Sequence, residues 1–183
     1  MIKLNHKKIA IIGNAGSGKT TLAFQLEKYL KLPVYHLDQY MWLPGWQRID
    51  FDKFEQIHEK LCNKDTWILE GSYYKVFLQR ALAADVIIFL DVPRYLCIWR
   101  VLRRSIIYFG KVIPGNPQGC KQRFFSLKFI EFLHWVWNFN LNSRPLILEI
   151  LKECKKQKPV YSITSSQEVV EFVERLKKDV ANV

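Results

Sequence analysis

One octet near the start of the chain constrains the fold more than any other feature. Residues 13–20 read Gly-Asn-Ala-Gly-Ser-Gly-Lys-Thr and match the phosphate-binding pattern G-x-x-x-x-G-K-[ST] in full. The apolar run 9–12 before it is typical of a buried parallel strand, and apolar residues after it recur at helical spacing. A glycine-rich turn between such a strand and a helix presents backbone N–H groups and the positive end of the helix dipole to an anion. The octet therefore predicts a triphosphate-binding site.

The end of the octet carries the side chains with distinct chemistry. Lys19 is expected to reach the β and γ phosphates, and Thr20 is expected to ligate Mg²⁺. ATP and Mg²⁺ are therefore the predicted cofactors. The predicted nucleotide contacts are the octet and the threonine after it: Gly13, Asn14, Ala15, Gly16, Ser17, Gly18, Lys19, Thr20 and Thr21.

Length and composition favour a single α/β domain over residues 1–183. The 49% hydrophobic content of 183 residues is enough for one sizeable core. No uncharged run reaches the length of a membrane span and no signal peptide precedes the octet, so we expect a cytoplasmic protein with no membrane partner. Cys62, Cys97, Cys120 and Cys154 form no C-x-x-C pair, which favours buried thiols over disulfides or zinc.

Strand and helix patterns alternate along the chain. This alternation predicts a central parallel sheet of five strands with helices on both faces. The segments with strand character are 9–12, 33–38, 66–71, 85–91 and 160–163.

Several connecting segments have patterns of their own. Residues 40–46 are expected to form an irregular aromatic loop, and the turn-forming residues of 110–119 predict a mobile surface loop. Asp50 is expected to cap a helix, and Ser165 and Glu168 have the spacing of a capping box. An aromatic helix is expected after the loop, with one stripe composed of Phe125, Phe129, Phe132 and Val136.

Three acids stand where predicted strands end, which is where ligands bind in open parallel sheets. Glu70 is expected to hold the magnesium shell or to polarise the attacking group, with an ordinary capping or surface carboxylate as the alternative. Asp38 is expected to orient an acceptor hydroxyl, although an acid at this place also caps turns. Asp91 is expected to be structural.

Arginines after the fourth strand are candidates for contacts with the transferring phosphoryl group. Arg100 and Arg104 are four residues apart on one helix face and Arg103 is adjacent, so the three are expected to form a clamp. The alternative is a solvated basic face. Arg144, which follows the predicted aromatic helix and directly precedes Pro145, is a further catalytic candidate.

Aromatic residues after Asp38 are candidates for acceptor binding. Trp42 and Trp46 have the chemistry to stack on an acceptor ring, and the alternative is that they bury a long crossover. His36 is expected to be a packed histidine rather than a base.

The formal net charge of +11 attracts polyanions in general. The cluster Lys152, Lys155, Lys156 and Lys158 looks like a solvated helix end, and no helix-turn-helix, zinc-finger or RNA-binding signature accompanies it. The positive charge therefore allows DNA as a partner, but no sequence motif supports it.

Taken in chain order, these segments resemble the adenylate-kinase-like P-loop kinases, and most closely the bacterial DNA topology modulation proteins. The resemblance covers nearly the whole chain and is carried by segments 13–20, 36–46, 67–73, 85–94, 97–104, 119–120 and 135–139. It implies a three-layer P-loop NTPase fold with an acceptor-binding insertion around 39–65 and a helical lid around 105–143.

The leading hypothesis is an ATP- and Mg²⁺-dependent phosphotransferase, a P-loop kinase for a small acceptor such as a nucleoside monophosphate or a related metabolite. The alternative is a nucleotide-binding regulatory protein that contacts DNA through its basic faces, as a topology modulator would, with little catalysis. A degenerate kinase retained for oligomer contacts is a third possibility. The acceptor, the preference between ATP and GTP, and the oligomeric state stay open at this point.

Overall fold

Apolar strands and amphipathic helices alternate in the structure as the sequence pattern predicts. The computed structural model describes residues 6–122, 124 and 126–181. The strands are β1 (Lys8–Gly13), β2 (Val34–His36), β3 (Trp42–Leu43), β4 (Gln47–Arg48), β5 (Trp67–Glu70), β6 (Val86–Leu90) and β7 (Val160–Ile163). The helices are α1 (Lys19–Leu30), α2 (Asp38–Met41), α3 (Phe51–Cys62), α4 (Phe77–Ala83), α5 (Arg94–Ile107), α6 (Leu127–Asn142), α7 (Arg144–Cys154) and α8 (Ser166–Ala181), with a 3₁₀ turn at Tyr74–Val76.

The central sheet has five parallel strands in the order β2-β5-β1-β6-β7. Alternate residues of β1 face opposite sides: Ala10 and Ile12 pack in one core cluster, and Ile9 and Ile11 pack in another. The first cluster includes side chains from α3, α4 and α7, and the second includes side chains from α1, α5 and α8. The prediction of three layers around a five-stranded parallel sheet is confirmed.

The strand order brings the candidate residues to one edge of the sheet. In the register of the sheet, Ile11 of β1 lies opposite Glu70 of β5, and Gly13 lies opposite Leu90 of β6. His36 of β2 also lies opposite Glu70. The carboxyl ends of β1, β2 and β5 therefore meet beside the glycine-rich octet.

The prediction of an irregular loop at 40–46 is wrong. The segment contains the last residues of the one-turn helix α2 and then the strand β3, which pairs with β4 in an antiparallel hairpin. Gly45 and Trp46 take positive φ angles at the turn, of 76° and 63°. The segment 110–119 is an irregular and mostly exposed loop, as predicted, although Ile113 and Pro117 within it are buried.

Local capping signals in the sequence predict where α3 and α8 begin. The carboxylate of Asp50 accepts hydrogen bonds from the backbone N–H groups of Asp52 and Lys53, so the predicted cap of α3 is confirmed. At α8, the N–H of Glu168 donates to Ser165 Oγ as a capping box requires. The Glu168 carboxylate accepts from the N–H and hydroxyl of Thr164 rather than closing the box on Ser165.

The aromatic helix is α6. Phe129 and Val136 of the predicted stripe are buried, and Phe132 packs against the core, whereas Phe125 lies outside the described residues. Within the part of the chain that the structure describes, no helix combines the length and the apolar character needed to cross a membrane.

Two glycines with similar backbone angles offer a matched test of packing around the octet. Gly16 has a φ of +79°, and a Cβ there would lie 2.5 Å from the carbonyl oxygen of Cys97. Gly110 has a φ of +71°, and a Cβ there would meet no atom within 4 Å. Both Gly→Ala changes incur roughly 1–2 kcal/mol for the left-handed backbone, and Gly16→Ala adds about 1–3 kcal/mol of overpacking. Urea unfolding should therefore show a clearly larger loss for Gly16→Ala, and equal losses would contradict the tight contact with α5.

Candidate active site

The glycine-rich octet forms a turn between β1 and α1. Gly16 and Gly18 take φ angles of +79° and +104°, a region that glycine enters without strain. Gly18 is the residue that precedes α1, so the free N–H groups of the first helical turn begin at the loop. This is the backbone geometry that binds an anion at a helix N-terminus.

Arg100 of α5 holds the outer side of this turn. Its Nη1 donates to the carbonyl oxygens of Gly16 and Ser17, at 3.2 and 3.1 Å, and its Nη2 donates to Ser166 Oγ at 2.7 Å. The carbonyl of Ser17 and the N–H of Gly18 belong to one planar peptide and point in opposite directions. Arg100 therefore positions the Gly18 N–H away from α5 and is placed behind the loop rather than over it.

Polar groups inside the loop are buried. Lys19 Nζ donates to the carbonyl oxygen of Asn14 at 2.8 Å. Burial lowers the pKa of Lys19, and the negative charges of Glu70 and Asp38 counter part of that effect. Among the described residues, the buried Ser17 Oγ has no hydrogen-bond partner. A buried cation and an orphaned hydroxyl within a glycine turn fit a phosphate chain.

Glu70 joins the loop to β2. Its Oε1 accepts hydrogen bonds from Thr20 Oγ1 at 2.9 Å and from His36 Nδ1 at 2.8 Å, and the side chain is buried. Burial by itself would raise the pKa of Glu70, but the hydrogen bond from His36 and the charge of Lys19 outweigh it, so the pKa is lowered. Glu70 is therefore a carboxylate at neutral pH.

The residues present fit Mg²⁺. No group of three or more His, Cys, Asp and Glu side chains within the described ranges is arranged to hold a metal ion. Mg²⁺ usually keeps several waters and takes only one or two protein ligands besides substrate phosphates. The Thr20 hydroxyl offers one ligand to the ion. The ionised Glu70, to which that hydroxyl donates a hydrogen bond, offers a carboxylate to the water molecules around the ion.

Asp38 lies at the start of α2 and is bonded to a tyrosine. The Tyr73 hydroxyl donates to Asp38 Oδ1 at 2.7 Å, and Trp42 lies near Tyr73. Burial and the nearby charge of Glu70 raise the pKa of Asp38, and the Tyr73 hydrogen bond and Lys19 oppose this. Two carboxyl groups of one cluster thus have pKa values shifted in opposite directions.

Arg104 is the arginine of α5 that faces these carboxylates. Burial lowers its pKa, and the charges of Asp38 and Glu70 raise it. Its Nε is buried and has no hydrogen-bond partner among the described residues. A buried guanidinium with an unused donor beside two acids is available for an anionic ligand.

Two arginines that the sequence placed at the transferring group lie elsewhere. Arg103 is exposed and lies over the ring of Trp99, 5.8 Å from its centroid. Arg144, a predicted catalytic residue, instead binds both carboxylate oxygens of Asp91 at 2.8 Å, which ties the start of α7 to the end of β6. This bidentate pair also explains Asp91, which was expected to be structural.

The segment 113–121 lies against the candidate site on the side of Thr20 and His36. A Cβ on Gly115 would lie 2.6 Å from Thr20 Cγ2 and 3.4 Å from His36 Nδ1. Further along, the N–H of Gly45 donates to the carbonyl of Gly119, at 3.1 Å, and Trp46 Nε1 donates to the carbonyl of Lys121, at 2.8 Å. The segment is therefore fastened to the β3–β4 hairpin, and Gly115 lies against Thr20 at the start of α1.

The tryptophans of the hairpin have different neighbours. Trp42 contacts Tyr73 and the guanidinium of Arg48, which lies 4.9 Å from its ring centroid. Trp46 packs edge-on against Trp42 at 5.6 Å and is held by the covering segment. Trp42 is therefore the tryptophan nearer to Asp38.

The lysine cluster before β7 is partly used within the fold. Lys158 Nζ donates to the carbonyls of Ala81, Leu82 and Ala84 at the end of α4. Lys156 pairs with Glu153 at 2.7 Å. These contacts leave less free charge for DNA than the sequence indicated.

A family model for the NB-ARC domain matches residues 1–101, which include the P-loop and both carboxylates of the cluster. The chain belongs to the NB-ARC domain family. This places it among the P-loop NTPases, and it supports the coarser part of the resemblance seen in the sequence but not the DNA topology modulation proteins. No curated protein sequence matches the chain.

Solved structures with the same fold include small-molecule kinases. Shikimate kinase from Acinetobacter baumannii in complex with shikimate has a TM-score of 0.60 at 15% identity, covering 97% of this chain and 94% of that one. A gluconokinase from Sinorhizobium meliloti 1021 has a TM-score of 0.52 at 15% identity, covering 96% and 92%. At such identities the likeness establishes the fold of a P-loop kinase.

Three residues of the cluster were missed or undervalued by the sequence analysis. His36 bonds Glu70 although it was expected only to pack, and Tyr73 and Gly115 carried no assigned role. Tyr73 follows the strand-ending acid by three residues, a signal of proximity to the site. Gly115 makes its contact over a long stretch of chain, for which the sequence holds no local signal.

Asp38→Asn tests the electrostatic cost of the buried acid. The pKa of Asp38 is raised in the folded state. The folded protein therefore loses stability as the pH rises from the pKa of this acid in the unfolded state to its pKa in the folded state, and the loss persists at higher pH. At pH 8 the Asn variant should therefore melt higher than the wild type, by roughly 2–4 °C for each kcal/mol relieved. The gain should shrink toward pH 4 as the wild-type carboxyl is protonated.

Asp91→Asn is the matched control, because it removes one partner of the Arg144 pair and should lower the melting temperature at pH 8. A lower melting temperature for Asp38→Asn at pH 8 would contradict the assigned environment of Asp38.

Proposed function

We propose that the chain is an ATP- and Mg²⁺-dependent phosphotransferase that acts on a small acceptor, such as a nucleoside monophosphate or a related metabolite. The observation that carries the proposal is the group formed by the buried Lys19 and Glu70 and the partly buried Thr20, Asp38 and Arg104 at the carboxyl ends of β1, β2 and β5. A P-loop alone indicates nucleotide binding, whereas two carboxylates in different protonation environments beside it suit the activation of an acceptor.

The nucleotide side of the site consists of the octet and its neighbours. The glycine turn and the start of α1 bind the phosphate chain, with the backbone and side-chain contacts of Gly13 to Thr21. Lys19 leaves the carbonyl of Asn14 and neutralises the terminal phosphates. Thr20 and Glu70 would hold the Mg²⁺ ion, which would supply charge neutralisation.

The acceptor side is organised by Asp38. Its carboxylate accepts the hydrogen bond of the acceptor hydroxyl and orients the hydroxyl oxygen for attack. Tyr73 holds the carboxylate in place, and Trp42 provides an apolar wall next to it. Arg104, with its unused Nε, stabilises negative charge on the transferring group.

Two segments complete the site in this proposal. The region around 39–65, with the β3–β4 hairpin, forms the acceptor-binding insertion, and the region around 105–143 forms the lid of the single domain. The contact of Gly115 with Thr20 and the fastening of Gly119 to Gly45 support a lid that closes by docking on the insertion. Arg100 supports the loop from behind, so its substitution should weaken nucleotide binding more than turnover.

Lys19→Ala tests the donor side. With MgATP and a panel of nucleoside monophosphates and hydroxylated metabolites, the wild type should release ADP with at least one acceptor. Lys19→Ala should lower kcat/KM roughly 100-fold or more, because a preorganised cation is lost where charge develops.

Lys28→Ala, a lysine of the same helix away from the octet, should leave the rate unchanged. The absence of wild-type turnover with every acceptor, or turnover that survives Lys19→Ala, would overturn the proposal. Calorimetric titration with MgATP separates a binding protein without transfer from one that binds no nucleotide.

The pH dependence of kcat/KM tests the acceptor side. Because the pKa of Asp38 is raised, the rate should rise with pH along a limb displaced above the ordinary aspartate range. The Tyr73 hydrogen bond lowers that pKa, so Tyr73→Phe should move the limb to higher pH. Tyr74→Phe, the adjacent tyrosine, should leave it in place. A limb that moves to lower pH in Tyr73→Phe would rule out Asp38 as the titrating group.

A further inference from the structure

Apolar side chains are exposed mainly in one quarter of the chain. More than half of the large apolar side chains that are exposed in the described residues lie between Tyr95 and Leu141. Those on α5 include Tyr95, Trp99 and Ile106, and those on α6 include Ile130, Trp137 and Leu141. We call these six residues the α5–α6 surface. Exposed apolar groups concentrated in this way mark a site of interaction.

Helical geometry places each set of three residues on one side of its own helix. Residues 95, 99 and 106 fall within about 40° of one another around α5, and residues 130, 137 and 141 do so around α6. The two helices pack against each other. The guanidinium of Arg94, the first residue of α5, lies 4.2 Å from the ring centroid of Trp137 on α6, so the α6 stripe lies beside the start of α5.

The same quarter of the chain is strongly basic. Residues 94–142 contain eight Lys or Arg residues and one acid, Glu131, and therefore carry most of the formal charge of +11. Arg100 and Arg104 face the P-loop. Among the other cations, Arg94 and Arg103 lie over the tryptophans of the surface, and Lys111 and Lys128 are exposed.

We propose that the α5–α6 surface docks on an anionic phospholipid bilayer. Tryptophan and tyrosine favour the boundary between headgroups and acyl chains, because their rings are apolar and their N–H or O–H groups are polar. Leucine and isoleucine enter the acyl region, and arginine and lysine bind the anionic headgroups. The α5–α6 surface supplies the aromatic and aliphatic side chains, and Arg94 and Arg103 beside its tryptophans supply the cations.

Charge argues against a second copy of the chain as the occupant. A symmetric dimer through this face would bring the same surface of two molecules together, and the cations of one would face those of the other. An anionic partner turns this repulsion into attraction. The aliphatic half of the surface distinguishes lipid from nucleic acid, because isoleucine and leucine gain nothing from stacking on bases.

The absence of a membrane partner was expected from the lack of a long uncharged run. That criterion concerns helices that span the bilayer, whereas an interfacial face requires only exposed apolar stripes and flanking cations. The two conditions are independent, so a chain without a spanning segment can meet the second one.

Vesicle sedimentation of the full chain tests the proposal. The chain should bind vesicles that contain roughly 30% phosphatidylserine in phosphatidylcholine, and it should not bind pure phosphatidylcholine. Trp99→Ser with Ile130→Ser should weaken binding at least tenfold, roughly the gain from burying one large apolar side chain. Arg94→Ala with Arg103→Ala, which removes the cations at Trp137 and Trp99, should weaken it roughly fivefold per charge.

Matched variants control for general effects. Leu82→Ser with Val170→Ser changes two side chains that are 62% and 60% exposed, close to the 57% and 61% of Trp99 and Ile130. Lys53→Ala with Lys60→Ala changes two exposed lysines of α3. Both controls should bind as the wild type does, and thermal melting of every variant verifies folding.

Each other outcome overturns the proposal. No sedimentation with anionic vesicles, equal binding to both vesicle types, or equal losses in test and control variants would do so. A dimer in light scattering that Trp99→Ser with Ile130→Ser dissociates, without vesicle binding, would assign the surface to a second copy. Tighter binding to single-stranded DNA than to vesicles, unaffected by those substitutions, would assign the cations to nucleic acid.

Discussion

The hydrogen bonds to the Glu70 carboxylate connect the parts of the site to one another. One buried oxygen accepts from Thr20, in the first turn of α1, and from His36, at the end of β2. A buried carboxylate is costly unless its lone pairs are satisfied, so these bonds fix the relative positions of the two elements that bring the donors. The P-loop and the end of β2 are therefore joined through the same oxygen atom.

The charges around that carboxylate are balanced without being paired one to one. Two acids, Lys19 and Arg104 lie close together: the charges of Glu70 and Asp38 act to raise the pKa of Lys19 and of Arg104, and Lys19 acts to lower the pKa of both acids. Glu70 has hydrogen bonds from two donors and stays ionised, whereas Asp38 has one and is pushed toward its protonated form. Similar residues acquire different chemistry because of their neighbours.

The sequence predicted what local patterns encode. The strands at 85–91 and 160–163, the order that brings Glu70 beside the P-loop, and the Asp50 cap all depend on short runs of residues. The β3–β4 hairpin was missed because it is fastened by Gly119 and Lys121, more than seventy positions away. Arg144 was misassigned for the same reason, since its partner precedes it by fifty-three residues. Sequence patterns report burial and capping, whereas the partner of a long cationic side chain depends on the packed fold.

Helix α5 lies between the candidate active site and the apolar side chains of the α5–α6 surface. Its one face supplies Arg100 and Arg104 to the P-loop, and the opposite face carries Tyr95, Trp99 and Ile106. Gly16 of the P-loop packs directly against the backbone of α5. A shift of α5 at its outer face would therefore also displace the part of the helix that lies against the P-loop. A bilayer bound to the outer face would therefore restrain the wall of the nucleotide site through α5 itself. Since the two sets of side chains do not overlap, loss of one activity by substitution leaves the other available as an internal control.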